Sequence, residues 1–209
     1  MRHSYLVIEG NIGSGKTTLV NMLAAKYGGR KVLEGFADNP FLPKFYNDPK
    51  RFAFAVEMFF LAERYHQLNN ELLQQSLFSQ FTISDYSLGK SLIFSKANLD
   101  RDEFELFFRM YKVMMNQLPK PDLFVYLHRD VKELQMNIKK RGRDYEAGIS
   151  DSYLQRIQDS YFQFLKQQPL KILLLDISEK NFISHPPVFE KICQLIDQSY
   201  NSGIIKLKL

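Results

Sequence analysis

The chain has 209 residues, 45% hydrophobic and 24% charged, which supplies one globular domain with a sizeable core and gives no reason to expect a second. A net charge of +5 points to anionic partners, yet the basic residues are scattered except near Lys139 to Arg143, so no nucleic-acid partner is expected and a nucleoside triphosphate is anion enough. The single cysteine, Cys193, excludes an internal disulfide and suits a reducing compartment; apolar runs too short for a bilayer and no signal segment make a cytoplasmic protein without membrane contact the expectation.

Tyr5 to Ile8 reads as a buried strand, and Gly10-Asn11-Ile12-Gly13-Ser14-Gly15-Lys16-Thr17 follows it with the glycine, lysine and hydroxyl spacing of a phosphate-binding loop. Glycines at the bends turn successive N–H groups inward at the start of a helix, whose dipole favours negative charge. Lys16 then reaches the outer phosphates, and the Thr17 hydroxyl, followed by Thr18, is placed to ligate Mg²⁺. Leu19, Leu23 and Ala24 continue as a helix.

Lys31 to Glu34 reads as a second strand that ends in a carboxylate before the Pro-rich segment Asn39 to Pro43. Ligands in open α/β sheets bind at the carboxyl ends of strands, so Glu34 either faces the phosphate loop or is a solvated loop charge. From Phe52 to about Gln75, Phe54, Met58, Leu61, Tyr65, Leu68 and Leu72 recur at steps of four and three, predicting a long amphipathic helix. Glu57 and Arg64 share one face of it, and Glu57, flanked by Val56 and Met58, needs a donor or solvent.

Gln80 to Asp85 reads as a third strand ending in an acid on the metal side of the phosphates. Asp100, with Glu103 three residues on, caps a helix carrying Phe104, Phe107, Phe108, Tyr111, Met114 and Met115, a stripe for core or subunit interface. Pro121 to Leu127 is a fourth strand, followed by a helix from Val131 to Lys140 and the cluster Lys139-Lys140-Arg141-Gly142-Arg143. Arg141 and Arg143 flank a glycine in a flap at about 139–149, suited to neutralising charge on a transferring phosphoryl group. Ser150 caps another helix, Lys171 to Leu175 is a fifth strand, and a last helix carries Phe189, Ile192 and Ile196. The tail from Ile204 to Leu209 either adds an edge strand or stays loose. Five parallel strands with helices on both faces are therefore predicted for one domain spanning 1–209. The four histidines lack metal-ligand spacing, so no zinc site or histidine triad is expected.

The glycine loop with Glu9 before it, Glu34, Asn39-Pro40-Phe41-Leu42, Tyr46, Phe60-Leu61, Arg64, Pro121-Asp122-Leu123 and Arg141-Gly142-Arg143 with Glu146 resemble the deoxynucleoside kinases over nearly the whole chain. The resemblance implies that Glu34 is the general base on a sugar 5′-hydroxyl and that Tyr46 and Glu146 hold the 3′-hydroxyl. It further implies that Arg141 and Arg143 contact donor phosphates and that the protein is a homodimer, while ATP with Mg²⁺ as donor, with Thr17 and Asp85 on the metal side, follows from the phosphate loop and the third strand.

Three positions depart from the family pattern. Glu57 stands where the family has a glutamine; Asp85-Tyr86-Ser87 replaces an Asp/Glu-Arg-Ser/Thr triplet; and Ser91, preceded by Lys90, replaces a position that is often acidic. An ionised Glu57 only accepts hydrogen bonds and so suits a guanine-like edge with two donors, whereas a protonated one imitates the amide. Without the arginine, either Arg64 or Lys90 substitutes for it or turnover is poor. The leading reading is ATP-dependent phosphorylation of a deoxynucleoside 5′-hydroxyl, a guanine-like purine slightly favoured. A nucleoside monophosphate or other heterocyclic hydroxyl is an alternative acceptor, and an ATP-binding partner subunit with little turnover is the alternative of another class.

Overall fold

Strict alternation of apolar side chains sets the layering. A computed structural model describes residues 1–35, 39–73 and 81–209, so the predicted end of the long helix at Gln75 and the start of the third strand at Gln80 lie outside the described residues. The chain runs β1 (Tyr5–Gly10), α1 (Lys16–Tyr27), β2 (Arg30–Val32), α2 (Leu42–Asn47), α3 (Pro49–Leu73), β3 (Thr82–Ser84), α4 (Gly89–Asn98) and α5 (Arg101–Met115). It continues with β4 (Leu123–His128), α6 (Val131–Arg141), a 3-10 turn at Asp144–Glu146, α7 (Asp151–Lys166), β5 (Lys171–Asp176), α8 (Pro186–Ile196) and β6 (Gly203–Lys208).

The strands pair in parallel in the order β2-β3-β1-β4-β5-β6. Among the described residues six strands, not the predicted five, make the sheet, because the tail joins β5 from Gly203 onward. Its alternation explains the choice: Ile205, Leu207 and Leu209 pack on the core, while Lys206 and Lys208 stay exposed and guard the outer edge.

In the central strands, Leu6, Ile8, Leu123, Val125, Leu127, Leu173 and Leu175 face α1 and α8, with Cys193 among the small buried residues of that layer. Val7, Phe124, Tyr126, Ile172 and Leu174 face α4 and α7 on the other side. This two-sided burial is why those strands read as continuous apolar runs. A third cluster joins Leu61 and Leu68 of α3 to Phe107 and Tyr111 of α5. The Asp100 capping box and the Ser150 cap start α5 and α7 as their residues predict. In α5 the predicted stripe packs inward, Phe107 and Tyr111 buried and Phe104, Phe108, Met114 and Met115 half-buried, while Leu106, Met110 and Val113, outside that stripe, are exposed on another face.

Connections from β1 and β3 leave the sheet toward opposite faces, which opens a crevice at the carboxyl ends of these neighbours. The phosphate loop follows β1; Asp85 comes directly after β3; Glu34 lies two residues past the end of β2, which stops at Val32. The helix α4 reaches this crevice because Gly89 lets it lie against Phe164 of α7, where a Cβ would come within 2.4 Å of Phe164 Cζ. Gly89→Ala should therefore destabilise the fold by about 1–3 kcal/mol through overpacking. Thermal denaturation checks this, and an unchanged melting temperature would show that Phe164 yields freely.

Candidate active site

The loop at 10–17 wraps around the start of α1. Gly13 and Gly15 hold φ of +81° and +91°, left-handed values that a side chain disfavours, and a Cβ on Gly10 would stand 2.9 Å from the Leu127 carbonyl oxygen. Asn11 pins the loop from outside: its Nδ2 donates to the Leu154 carbonyl at 2.8 Å and its Oδ1 accepts from the Ile12 N–H at 2.8 Å. Asn137 donates to the Gly13 carbonyl at 2.8 Å. The first N–H groups of α1, at Lys16, Thr17 and Thr18, have no partner within their helix and open toward the loop. Ser14 Oγ is buried inside the loop, 2.5 Å from where a Cβ on Gly10 would stand, and has no hydrogen-bond partner among the described residues.

Glu34, although outside the strand, is fixed from three sides. Its N–H donates to Asp85 Oδ1 at 2.8 Å. Arg64 donates to Glu34 Oε1 through Nε at 2.9 Å and through Nη2 at 2.7 Å, and Lys90 Nζ pairs with Oε2. Arg64 is further held by Ser91 Oγ at 2.8 Å and by the Phe60 ring, 4.6 Å from the guanidinium. Burial by itself would raise the Glu34 carboxyl, but Lys90 and Arg64 hold it well below the usual carboxylate range. Lys16, half-buried, is brought down to about 8 by desolvation and by Lys90, against the pull of Glu34 and Asp85. Its Nζ donates to the Asn11 carbonyl at 3.3 Å.

The Thr17 hydroxyl donates to Asp85 Oδ2, which bridges the crevice between the phosphate loop and β3. Two oxygen donors in contact beside a phosphate cradle match the ligand chemistry of Mg²⁺, which takes one or two protein oxygens and completes its shell with phosphate and water. No cluster of three or more metal-ligating His, Cys, Asp or Glu residues exists among the described residues, so nothing here resembles an all-protein cage.

Two cavities meet at this point. One is lined by Leu42, Phe45, Tyr46, Val56, Glu57, Phe60, Phe94, Tyr145 and Tyr153, an aromatic and aliphatic wall with Glu57 set into it. The other runs past Gly13, Gly15, Thr18, Arg129 and the segment 179–183. Lys16, Thr17, Glu34, Asp85, Arg141 and Arg143 belong to both. Both flap arginines rest on Glu146: Arg141 Nε donates to Oε2 at 3.0 Å and Arg143 Nη1 to Oε1 at 3.3 Å. Tyr46 stacks on Tyr145, ring centroids 6.2 Å apart, on the wall next to Glu146.

Of the acceptor-side residues predicted from sequence, Glu34, Tyr46, Glu57, Arg64, Asp85 and Glu146 come together in the first cavity. Tyr86 does not. It is fully buried in the cluster of Val32, Leu61, Leu68, Leu88 and Phe107, its hydroxyl donating to Gln67 Oε1 at 2.7 Å while Gln67 Nε2 donates to the Leu33 carbonyl at 2.8 Å. A phenol ring is mostly apolar surface, and burial outweighs any pull of the site on its single hydroxyl. Tyr86 thus holds up the loop under Glu34 rather than reaching a substrate.

The sequence reading did not find Arg129, Phe94, Asn98 or Tyr153. Arg129 donates to the carbonyls of Ser14, Ile177 and Lys180 and to Glu133, tying the phosphate loop to the segment after β5. Its place directly after β4 was the available signal. The other three carry none, since only the packing of α4 and α7 over α3 brings Phe94 and Tyr153 to the cavity and Asn98 to Glu57. Glu9 is likewise structural in its visible contacts: it accepts from Ser87 N–H at 2.8 Å and from Tyr161 hydroxyl at 2.8 Å.

Comparison with known proteins gives a consistent result. Residues 6–201 match the family model described as deoxynucleoside kinase. The chain is 36% identical over 193 residues to a deoxyguanosine kinase of Bacillus subtilis (strain 168), covering 90% of this chain and 93% of the relative. It is 33% identical to a deoxyadenosine kinase of Lactobacillus acidophilus over 171 residues, 77% of this chain and 76% of the other. Among solved structures, a deoxyadenosine kinase from M. mycoides with bound dATP superposes with a TM-score of 0.80 at 25% identity, covering 93% of this chain and all of that one.

Proposed function

The chain belongs to the deoxynucleoside kinase family, and on that premise we propose that it transfers the γ-phosphoryl group of ATP to the 5′-hydroxyl of a purine deoxynucleoside, deoxyguanosine first. The observation that carries this reading is the shared floor of the two cavities. A base fits the aromatic cavity, a triphosphate fits the loop, and between them lie the carboxylates of Glu34 and Asp85, Lys16 and Thr17 in the first turn of α1, and Arg141 and Arg143.

Each group has a chemical task. The loop amides and Lys16 hold the donor, and Glu34 accepts the hydrogen bond of the attacking hydroxyl. Because Lys90 and Arg64 lower its proton affinity, Glu34 serves first to orient that hydroxyl. It takes the proton only as the new O–P bond forms, as a loose phosphoryl-transfer transition state permits. Thr17 and Asp85 would hold Mg²⁺, which when bound offsets charge on the donor phosphates. Arg141 and Arg143, now resting on Glu146, supply the remaining positive charge over the transferring group. Tyr46 and Glu146 receive the 3′-hydroxyl side of the sugar.

The exposed stripe Leu106, Met110 and Val113 on α5 supports a homodimer built on this helix. No helix among the described residues is long and apolar enough to cross a membrane, and we place the enzyme in the cytoplasm with nucleoside and nucleotide as its partners. Single-turnover transfer from labelled ATP with Mg²⁺ to deoxyguanosine, deoxyadenosine, deoxycytidine, thymidine and a purine monophosphate checks the reading. Transfer to the purine deoxynucleosides is expected. Transfer confined to the monophosphate, or tight ATP binding with none, would overturn it.

A further inference from the structure

Among the described residues, one buried polar atom in the wall of the acceptor cavity has no partner. Glu57 is 2% exposed; its Oε1 accepts from Asn98 Nδ2 at 2.7 Å, and its Oε2 meets no donor among those residues. Asn98, from the end of α4, also donates to the Tyr153 hydroxyl of α7 at 3.3 Å, which anchors the amide that holds Oε1, and the carboxyl stands in the wall of the cavity that Glu57 lines with acceptor capacity left on both oxygens.

The charges around it are engaged elsewhere. Arg64, two turns along α3, and Lys90 of α4 are both paired with Glu34. Tyr46 and Tyr153 face the same space with hydroxyls that burial keeps neutral, and across the cavity Arg141 and Arg143 are occupied with Glu146. Burial pushes the Glu57 carboxyl up to about 7, against the pull of Arg64 and the Asn98 hydrogen bond. Both protonation states of this one group are therefore reached near neutrality.

We propose that Glu57 selects the base of the acceptor by whether it carries a proton. This rests on the reading above that the nucleoside base occupies this cavity. As a carboxylate it accepts two parallel hydrogen bonds from a guanine edge, N1–H and the exocyclic amine. Against adenine the same carboxylate sets an acceptor oxygen opposite the N1 lone pair, a contact with no proton between the two atoms. As a carboxylic acid it donates O–H to adenine N1 and accepts from the 6-amino group, and it then meets guanine N1–H with a competing donor. The enzyme is accordingly guanine-selective on the alkaline side of neutrality and turns toward adenine on the acid side. No part of the protein need move.

The test is the ratio of kcat/KM for deoxyguanosine to that for deoxyadenosine, at saturating ATP, from about pH 8.5 to about pH 6. A ratio cancels every titration common to both substrates, including that of Lys16 near 8. Mass action on one proton sets the expected slope: the ratio falls as the pH is lowered, approaching roughly tenfold per pH unit. In Glu57→Gln the amide offers one donor and one acceptor at every pH, so the ratio moves toward deoxyadenosine and becomes flat. A flat ratio in the unmodified enzyme, or a slope that survives in Glu57→Gln, overturns the proposal. Calorimetric binding of the two nucleosides over the same range reads the ratio without turnover. A sloping binding ratio without phosphoryl transfer supports base selection while the kinase reading falls, and absence of nucleoside binding overturns both.

Discussion

Glu34→Gln should lower kcat by about three orders of magnitude while ATP still binds, because it removes both the acceptor of the nucleophile's proton and the charge that organises its neighbours. In the folded protein Glu34 balances two buried cations, Arg64 and Lys90, through three contacts. An amide of the same shape leaves those cations without a counter-charge, and one of its two positions presents N–H groups to donors that need an acceptor. The loss should appear in single-turnover transfer and not merely in steady state, with thermal melting and nucleotide binding measured on the same sample. Glu34→Asp keeps the charge but withdraws it by one methylene, so it should retain the fold more fully and still transfer slowly. If Glu34→Gln transferred phosphate within tenfold of the unmodified protein, the role given to this carboxylate would be wrong.

Lys90→Met should cost roughly a hundredfold in kcat, with KM for the nucleoside changed only a few-fold. The family resemblance places an arginine at position 86, and here the residue is a tyrosine whose ring lies in the apolar cluster beneath the loop. The positive charge beside Glu34 comes instead from Lys90, the second residue of the next helix, and from Arg64. Met fills the volume of the lysine stem, so the buried Lys90 site keeps its packing and loses only its charge. Lys90→Arg should restore much of the activity. Tyr86→Arg should not, since a guanidinium there enters the cluster with Leu61, Leu68 and Phe107.

A readout that a purely structural lysine would not move accompanies the rate. Lys90 is, after burial, the main cause lowering Lys16 to about 8. Removing that like charge lets Lys16 keep its proton to higher pH. The alkaline limb of kcat/KM for ATP, which reports the free enzyme, should shift upward in Lys90→Met. An unshifted limb together with an unchanged kcat would remove Lys90 from the site.

The same loop and helix account for why some features were legible in the residues and others were not. The phosphate loop is a local object: its glycines, Lys16 and Thr17 sit within one turn of chain, and backbone sterics with helix geometry dictate where their groups point. The central strands were legible because burial on both faces leaves unbroken apolar runs. Strand ends were less so: Lys31 to Glu34 reads as extended, yet pairing with β3 stops at Val32. That shortfall frees Glu34 to turn toward Arg64 and Lys90. The sixth strand hung on an exposed edge of β5, a partner about thirty residues earlier whose availability no local pattern announces.

What the sequence by itself determined, then, is the chemistry on offer: a triphosphate cradle, carboxylates past the strand ends, an arginine flap, and a glutamate where an amide is usual. Only the tertiary structure decided which of these groups meet. It turned Tyr86 into core and made Lys90 the partner of Glu34, because a ring gains most from burial and an ammonium from a nearby carboxylate. It also left one oxygen of Glu57 without a partner among the described residues, since Asn98 and Tyr153 reach that spot only when α4 and α7 pack over α3. Side-chain identity is local, whereas burial and counter-charge are properties of the packed whole, and they set what each group can do.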